Sequence, residues 1–340
     1  IIGGQIYFYR KEIFMGKYSD KLTKEQKLDM LRLMEEIRHF DLELAKLYSR
    51  GLVAGMTHYS VGEEAANVGA IYAMKKEDLM YSNHRGHGQT ISKGIDLKRM
   101  MAEILGKAPG YCKGRGGSMH VFNLEVNNMS CNGIVGGGHG LSVGAALVQK
   151  MKKTGNIVLA AMGDGATNEG SFHEGLNMAS TWDLPLVWYV INNKYGISMD
   201  INDAMNVENV VDRAPAYGIP GILVEDGNDL LAVYDATMEA IEHARSGKGP
   251  VLVEAKTYRW FGHSASDAGA YRSREEIDSW RQRDPIEAFR KVLLEDKTAT
   301  EEELDEIREK AIADIKEAVE FAKEAPYPEI EVAFQDNFAD

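Results

Sequence analysis

One stretch, Ile157 to Ser198, constrains the fold of this chain most: IVLAAMGDGATNEGSFHEGLNMASTWDLPLVWYVINNKYGIS. An apolar run, Ile157 to Met162, stops at Gly163-Asp164-Gly165. A helix-like stretch follows, from about Ser171 to Thr181. A second apolar run, Leu184 to Ile191, ends at Asn192-Asn193. This is the outline of a strand–helix–strand unit, whose usual length is about 30 residues. Asp164 and Asn193 lie 29 residues apart, so they take equivalent places at the ends of successive strands. Parallel strands bring both ends to one edge of the sheet, where ligands bind in open α/β folds. A carboxylate and an amide oxygen then converge just beyond the sheet. Such hard oxygens suit magnesium, which keeps few protein ligands and completes its shell with phosphate oxygens and water. The amides of Gly165, Ala166 and Thr167 open the next helix and face the same phosphates.

GDGATNEG, FHEGLNMAS and NNKYGIS together resemble the thiamine diphosphate motif of the alpha subunits of 2-oxo acid and acetoin dehydrogenase first components. GDG alone reads more readily as an ordinary turn, since Gly and Asp are common turn formers, and it is the full stretch that carries the likeness. The resemblance implies thiamine diphosphate and Mg2+ as cofactors. It implies metal ligation by the Asp164 carboxylate, the Asn193 side chain and the Tyr195 carbonyl, with Gly165 and Ala166 on the diphosphate. It covers most of residues 25 to 325.

Further segments carry the same likeness. His58, before Ser60-Val61-Gly62-Glu63-Glu64, stands where the family has a substrate-pocket histidine. In Ser82-Asn83-His84-Arg85-Gly86-His87-Gly88, Arg85 is the candidate for the cofactor diphosphate, because a guanidinium presents a planar fork of donors. The pyruvate-type subunits carry Tyr-Arg there, whereas HRGHG resembles the acetoin group, so His84 bears on substrate. Gly114-Arg115-Gly116-Gly117-Ser118-Met119-His120 is similar to the family's GKGGSMH, and its glycines suit a backbone close to a ligand or neighbouring subunit. His120 reads equally as a pocket or a structural residue. Asn132-Gly133-Ile134-Val135-Gly136 resembles NGIVG, which implies backbone bonds from Gly133 and Val135 to the aminopyrimidine. His139-Gly140 departs from the family's apolar residue and proline. His263, in the loop after Tyr258, resembles the histidine that contacts the diphosphate and assists catalysis. Ala270 stands where some relatives have a second serine, so phosphorylation of this loop is not expected.

Alternating elements predict an α/β fold, a mostly parallel, doubly wound sheet of the thiamine diphosphate-binding type with N- and C-terminal helical extensions. Thr23 and Gln26 form a capping box for a helical arm at about 23–50. Helices are expected at Asp96–Leu105, Leu141–Met151, Asn209–Tyr217 and about Leu230–Ser246, with strands at Gly221–Glu225 and Val251–Tyr258. A helical tail spans about 285–325, with a second capping box at Thr300 and Glu303, and 329–340 is expected to extend along a partner. Residues 15–340 read as one domain carrying the diphosphate-binding half. Residues 1–14 precede Met15 and read as a tag or mis-assigned start.

A net charge of −13 argues against nucleic acid as the main partner. No apolar run approaches the ~20 residues that cross a membrane. Two cysteines, Cys112 and Cys131, at no metal spacing, fit a reducing cytoplasm. The resemblance implies an oxidoreductase acting on an acyloin or oxo group, with catalytic roles for His263, His58 and His84. It would cleave acetoin, the alternatives being pyruvate, a branched-chain 2-oxo acid or a non-catalytic scaffold. It also implies a beta subunit in an alpha2beta2 heterotetramer, supplying the glutamate for the aminopyrimidine, and a lipoyl-bearing acyltransferase.

Overall fold

A computed structural model describes residues 16–53 and 55–335; the expectation about residues 1–14 lies outside them. Six strands form one sheet: β1 Leu79–Asn83, β2 Asn128–Asn132, β3 Val158–Gly163, β4 Leu186–Asn192, β5 Gly221–Val224 and β6 Val251–Lys256. Their spatial order is β2-β1-β3-β4-β6-β5, and every pairing is parallel. The chain leaves β1 towards one edge and β3 towards the other. Their neighbouring carboxyl ends therefore form a topological switch point, the crevice where such sheets bind ligands.

The helices of chain order are α1 Lys24–Ser49, α2 Glu64–Tyr72, α3 His87–Ser92, α4 Leu97–Ile104, α5 Gly138–Lys152, α6 Gly170–Thr181, α7 Leu230–Arg245, α8 Arg274–Arg281, α9 Pro285–Glu295 and α10 Glu301–Glu324, besides one short turn at Ile201–Ala204. The period-two alternation of strand side chains sorts the core into two faces. Leu159, Ala161, Val187, Tyr189 and Ile191 pack with α2 and α7. Val158, Ala160, Leu186, Trp188 and Val190 pack with α5 and α6. A third cluster joins α1, α4, α9 and α10 outside the sheet layers.

The capping boxes form as expected. Thr23 accepts from Gln26 N and Gln26 returns to Thr23 N, and Thr300 and Glu303 do the same for α10. Four expectations need correction. Val210–Tyr217 is a 3-10 helix rather than α, because Pro215 has no N–H for an α-type bond. The strand expected to reach Tyr258 ends at Lys256. The tail is not extended throughout: Ile330–Phe334 is a 3-10 turn, and Arg115 Nη1 donates to Val332 O and Gln335 O at 3.1 and 2.8 Å, while 336–340 fall outside the described residues.

The glycines of 110–117 answer to a carboxylate, not a ligand. Glu103, fully buried, accepts from the amides of Cys112, Gly114, Gly116 and Gly117. A Cβ on Gly110 would lie 2.6 Å from Glu103 Cα, and one on Gly114 would lie 2.5 Å from the Gly106 carbonyl carbon.

Helix α2 approaches α7 at Gly69, where a Cβ would stand 2.8 Å from Val233 Cβ and 2.9 Å from Leu230 O. Both neighbours are fixed, one by χ1 branching and one by the helix backbone. Gly69→Ala is therefore expected to cost about 1–3 kcal/mol through overpacking. A fall in the urea midpoint at unchanged slope measures it; an unchanged midpoint would mean that the two helices part freely.

Candidate functional site

The carboxyl ends of β1, β2, β3 and β4 and the loop after β6 surround one cavity. Its wall includes Asn83, His84 and Arg85 after β1, Val135 after β2, Gly163 to Ala166 after β3, Asn193 and Tyr195 after β4, and Arg259 and His263 after β6. Asp164 and Asn193 meet as their spacing predicts, because Gly163 pairs with Ile191 in register. Asp164 is buried, which pushes its carboxyl up to about 6 against hydrogen bonds from its own amide and that of Asn193. Asp164 opens a 3-10 turn ending at Asn168, and α6 starts only at Gly170. Gly165 passes so close to Gly196 that a Cβ on it would sit 3.2 Å from Gly196 Cα.

The Asn193 amide is oriented from both sides. Its Nδ2 donates to Glu63 Oε1 at 2.7 Å, and its Oδ1 accepts from Arg259 Nη1 at 3.2 Å. The same Arg259 Nη1 donates to Tyr195 O at 2.5 Å. One cationic nitrogen thus reaches both oxygens, so a point of positive charge is already accommodated between them. The Asp164 carboxylate adds a third oxygen on the same wall. An all-oxygen set with one carboxylate fits magnesium rather than a softer ion. Of the groups that a diphosphate would need, the glycine turn after Asp164 and Arg85 line the same space.

Arg85 is almost fully buried. Its Nη1 donates to Tyr59 O at 2.7 Å and its Nη2 to His263 O at 2.8 Å. His58 Nδ1 meets that same His263 carbonyl at 2.7 Å. The rings of His58, His84 and His263 form a triangle with centroid separations of 4.5, 4.8 and 5.3 Å. Burial first, then the nearby Arg85 charge, pushes their pKa values down to about 4, 2 and 3. All three are neutral at pH 7. His84 and His263 line the cavity, and His58 packs behind them.

Besides His58, two expected residues stand off the wall. Gly133 belongs to the Asn132–Gly138 loop but does not line the cavity, whereas Val135 does. His120 is exposed and reaches Cys131 O at 3.3 Å.

Reading the sequence missed Glu63, Arg259, Gln89 and His139. All four line the cavity. His139 is the only one with a signal, its place where the family carries an apolar residue. Its Nδ1 lies 3.1 Å from Ser171 Oγ, its ring packs on Phe172 and Trp188, and its Nε2 has no partner.

The chain matches the family described as Dehydrogenase E1 component over residues 32–331. It belongs to that family. Its E1 relatives include the alpha subunit of acetoin:2,6-dichlorophenolindophenol oxidoreductase of Bacillus subtilis strain 168, 45% identical over 308 residues, which cover 90% of this chain and 92% of that protein. The corresponding subunit of Cupriavidus necator is 42% identical at the same coverage. The alpha subunit of the pyruvate dehydrogenase E1 component of Rhizobium meliloti strain 1021 is 37% identical over 96% of this chain and 94% of its own. The parallel sheet with helical extensions is therefore that of an E1 dehydrogenase component.

Burial pushes the His139 imidazole down from 6.5 to about 4. Between those values the unfolded chain binds a proton that the folded chain refuses, so stability falls as pH drops below about 6.5. This residue's share is roughly 3 kcal/mol over the window. His139→Leu is expected to flatten the dependence of unfolding free energy on pH between 7 and 4.5. Equal slopes for variant and parent would refute the assignment.

Proposed function

We propose that this chain is the alpha subunit of a thiamine diphosphate- and Mg2+-dependent dehydrogenase that cleaves acetoin oxidatively and passes the acetyl unit to a lipoyl group. The observation that carries the cofactor reading is the convergence of Asn193 Oδ1 and Tyr195 O on one cationic nitrogen, beside Asp164. Asp164, Asn193 and Tyr195 would hold the metal. Arg85, Gly165, Ala166 and His263 would face the diphosphate, and Val135 the aminopyrimidine, with Gly133 standing off the wall. When bound, the cofactor supplies carbanion chemistry next to a carbonyl. Glu63 and Arg259 keep the Asn193 amide turned so that its oxygen faces the metal position.

The preference for acetoin rests on charge. A 2-oxo acid brings a carboxylate, and the cation nearest the histidines, Arg85, already spends two donors on the carbonyls of Tyr59 and His263. His58, His84 and His263 are neutral, and neutral imidazoles suit the hydroxyl and carbonyl of an uncharged acyloin. They would position that substrate and exchange its hydroxyl proton. Higher identity to the acetoin subunits than to the pyruvate subunits points the same way. Pyruvate is the second reading, supported by relatives at 36–38% identity, with a branched-chain oxo acid or a non-catalytic scaffold behind it.

A beta subunit fits the surface. Leu141, Val148 and Met151 of α5 and Met178 of α6, with the following Trp182, are exposed large apolar residues on neighbouring helices, and contiguous apolar exposure marks an interface. The unit 15–340 would serve as the diphosphate-binding half of an alpha2beta2 enzyme in the cytoplasm, acting with a lipoyl-bearing acyltransferase. Among the described residues no helix is long and apolar enough to cross a membrane.

Two outcomes are expected. The chain purified alone shows no turnover, and co-expressed with its beta-type partner it turns over acetoin with an artificial electron acceptor at a kcat/KM at least tenfold above that for pyruvate, a gap of about 1.4 kcal/mol. The reverse order would assign it to the oxo acids. Asp164→Ala should abolish Mg2+-dependent binding of thiamine diphosphate, read by calorimetry, while leaving assembly with the partner intact. Unchanged cofactor binding would remove the metal role of Asp164.

A further inference from the structure

The oxygen site does not use all the ligand chemistry of the cavity. His58, His84 and His263 each offer a ring nitrogen, and these three nitrogens all lie within 4.8 Å of one another. They come from three segments far apart in sequence: the strap before α2, the turn after β1 and the loop after β6. We propose that they form a second cation site, for a transition-metal dication of the zinc class, distinct from the oxygen site and opening into the same cavity.

Ligand type separates the two sites. Three imidazoles without a carboxylate suit zinc, cobalt or copper and offer nothing to magnesium. Ligand distances for tetrahedral zinc, ~2.0–2.1 Å to each nitrogen, require the three nitrogens to close in by less than about 1 Å each. Imidazole rotation about χ2 supplies a movement of that size.

The tautomer of one ligand is already set. His58 Nδ1 lies 2.7 Å from the His263 carbonyl, an acceptor only, so Nδ1 carries the proton and Nε2 presents its lone pair. Metal-bound histidines commonly have this backing. The three rings are neutral at pH 7, so a dication does not compete with protons there. Arg85 and Arg259 repel a cation there, and Asp267, the carboxylate that acts on His263, opposes them. His84 and His263 line the cavity, so the fourth position of a tetrahedron would open into that cavity. An occupied site would exclude the acyloin, so the cation would inhibit rather than assist.

The proposal goes beyond the acetoin reading and does not need it. The test is a Co2+ titration of the full-length chain, stripped with chelator and held in excess Mg2+, followed by the visible bands of tetrahedral cobalt. One Co2+ per chain is expected, displaced by Zn2+. Affinity should fall more than tenfold in His58→Gln, in His84→Gln and in His263→Gln. His263 lies in a loop outside helix and strand, so its variant keeps the test open even if the more buried His58→Gln fails to fold. Asp164→Ala and Cys112→Ser should leave the cobalt spectrum unchanged. Loss of the spectrum in Asp164→Ala would place the ion at the oxygen site and overturn the proposal. So would the absence of tetrahedral bands, or a spectrum that survives in His84→Gln and His263→Gln, which would mark adventitious binding only.

Discussion

Four charges buried at the carboxyl edge of the sheet hold the site together. Glu63, Asp164, Arg85 and Arg259 are each nearly inaccessible, and they arrive from four separate segments. An unpaired charge at such depth costs several kcal/mol, so each constrains where the others sit. Asn193 is the joint between them, with its amide nitrogen on Glu63 and its oxygen on Arg259. Arg259 extends the same order outward. Its Nη2 donates to Ile197 O and to the Tyr271 hydroxyl, and Tyr271 donates to Asp267, which also accepts from His263 N. The oxygen set and the histidine loop are thus parts of one hydrogen-bonded body.

That arrangement explains why two chemistries coexist in one cavity. The oxygens gather where strand tips β3 and β4 end, close to the glycine turn proposed to face the phosphates. The neutral imidazoles gather beside Arg85, whose fork is turned onto the carbonyls of Tyr59 and His263. In the proposed reading a charged tail lies along the oxygens and Arg85, and an uncharged reactive end meets the imidazoles.

The pairing of Asp164 with Asn193 was legible because strand length, helix length and parallel connection leave one register for two residues 29 apart. The helices were legible from caps, as at Thr23 and Thr300. Strand β2, Asn-Met-Ser-Cys-Asn, was not, since it has neither a long apolar run nor a turn signal, and its place is fixed by pairing with β1. The glycines of 110–117 misled for a physical reason. Glycine reports only that something comes close, and here that is the Glu103 carboxylate. Glu63 and Arg259 were illegible because two buried charges that meet only through Asn193, far apart in sequence, leave no local pattern. The likeness of GDGATNEG and NNKYGIS to the thiamine diphosphate motif implied the cofactor, but the charge state of the three histidines needed coordinates.

The most direct measurement is an anomalous difference map from crystals of the chain soaked with Mn2+ and thiamine diphosphate. One strong peak should lie ~2.0–2.3 Å from an Asp164 carboxylate oxygen and from Asn193 Oδ1. A peak elsewhere, or none between those two strand tips, would contradict the cation site on which the cofactor reading depends.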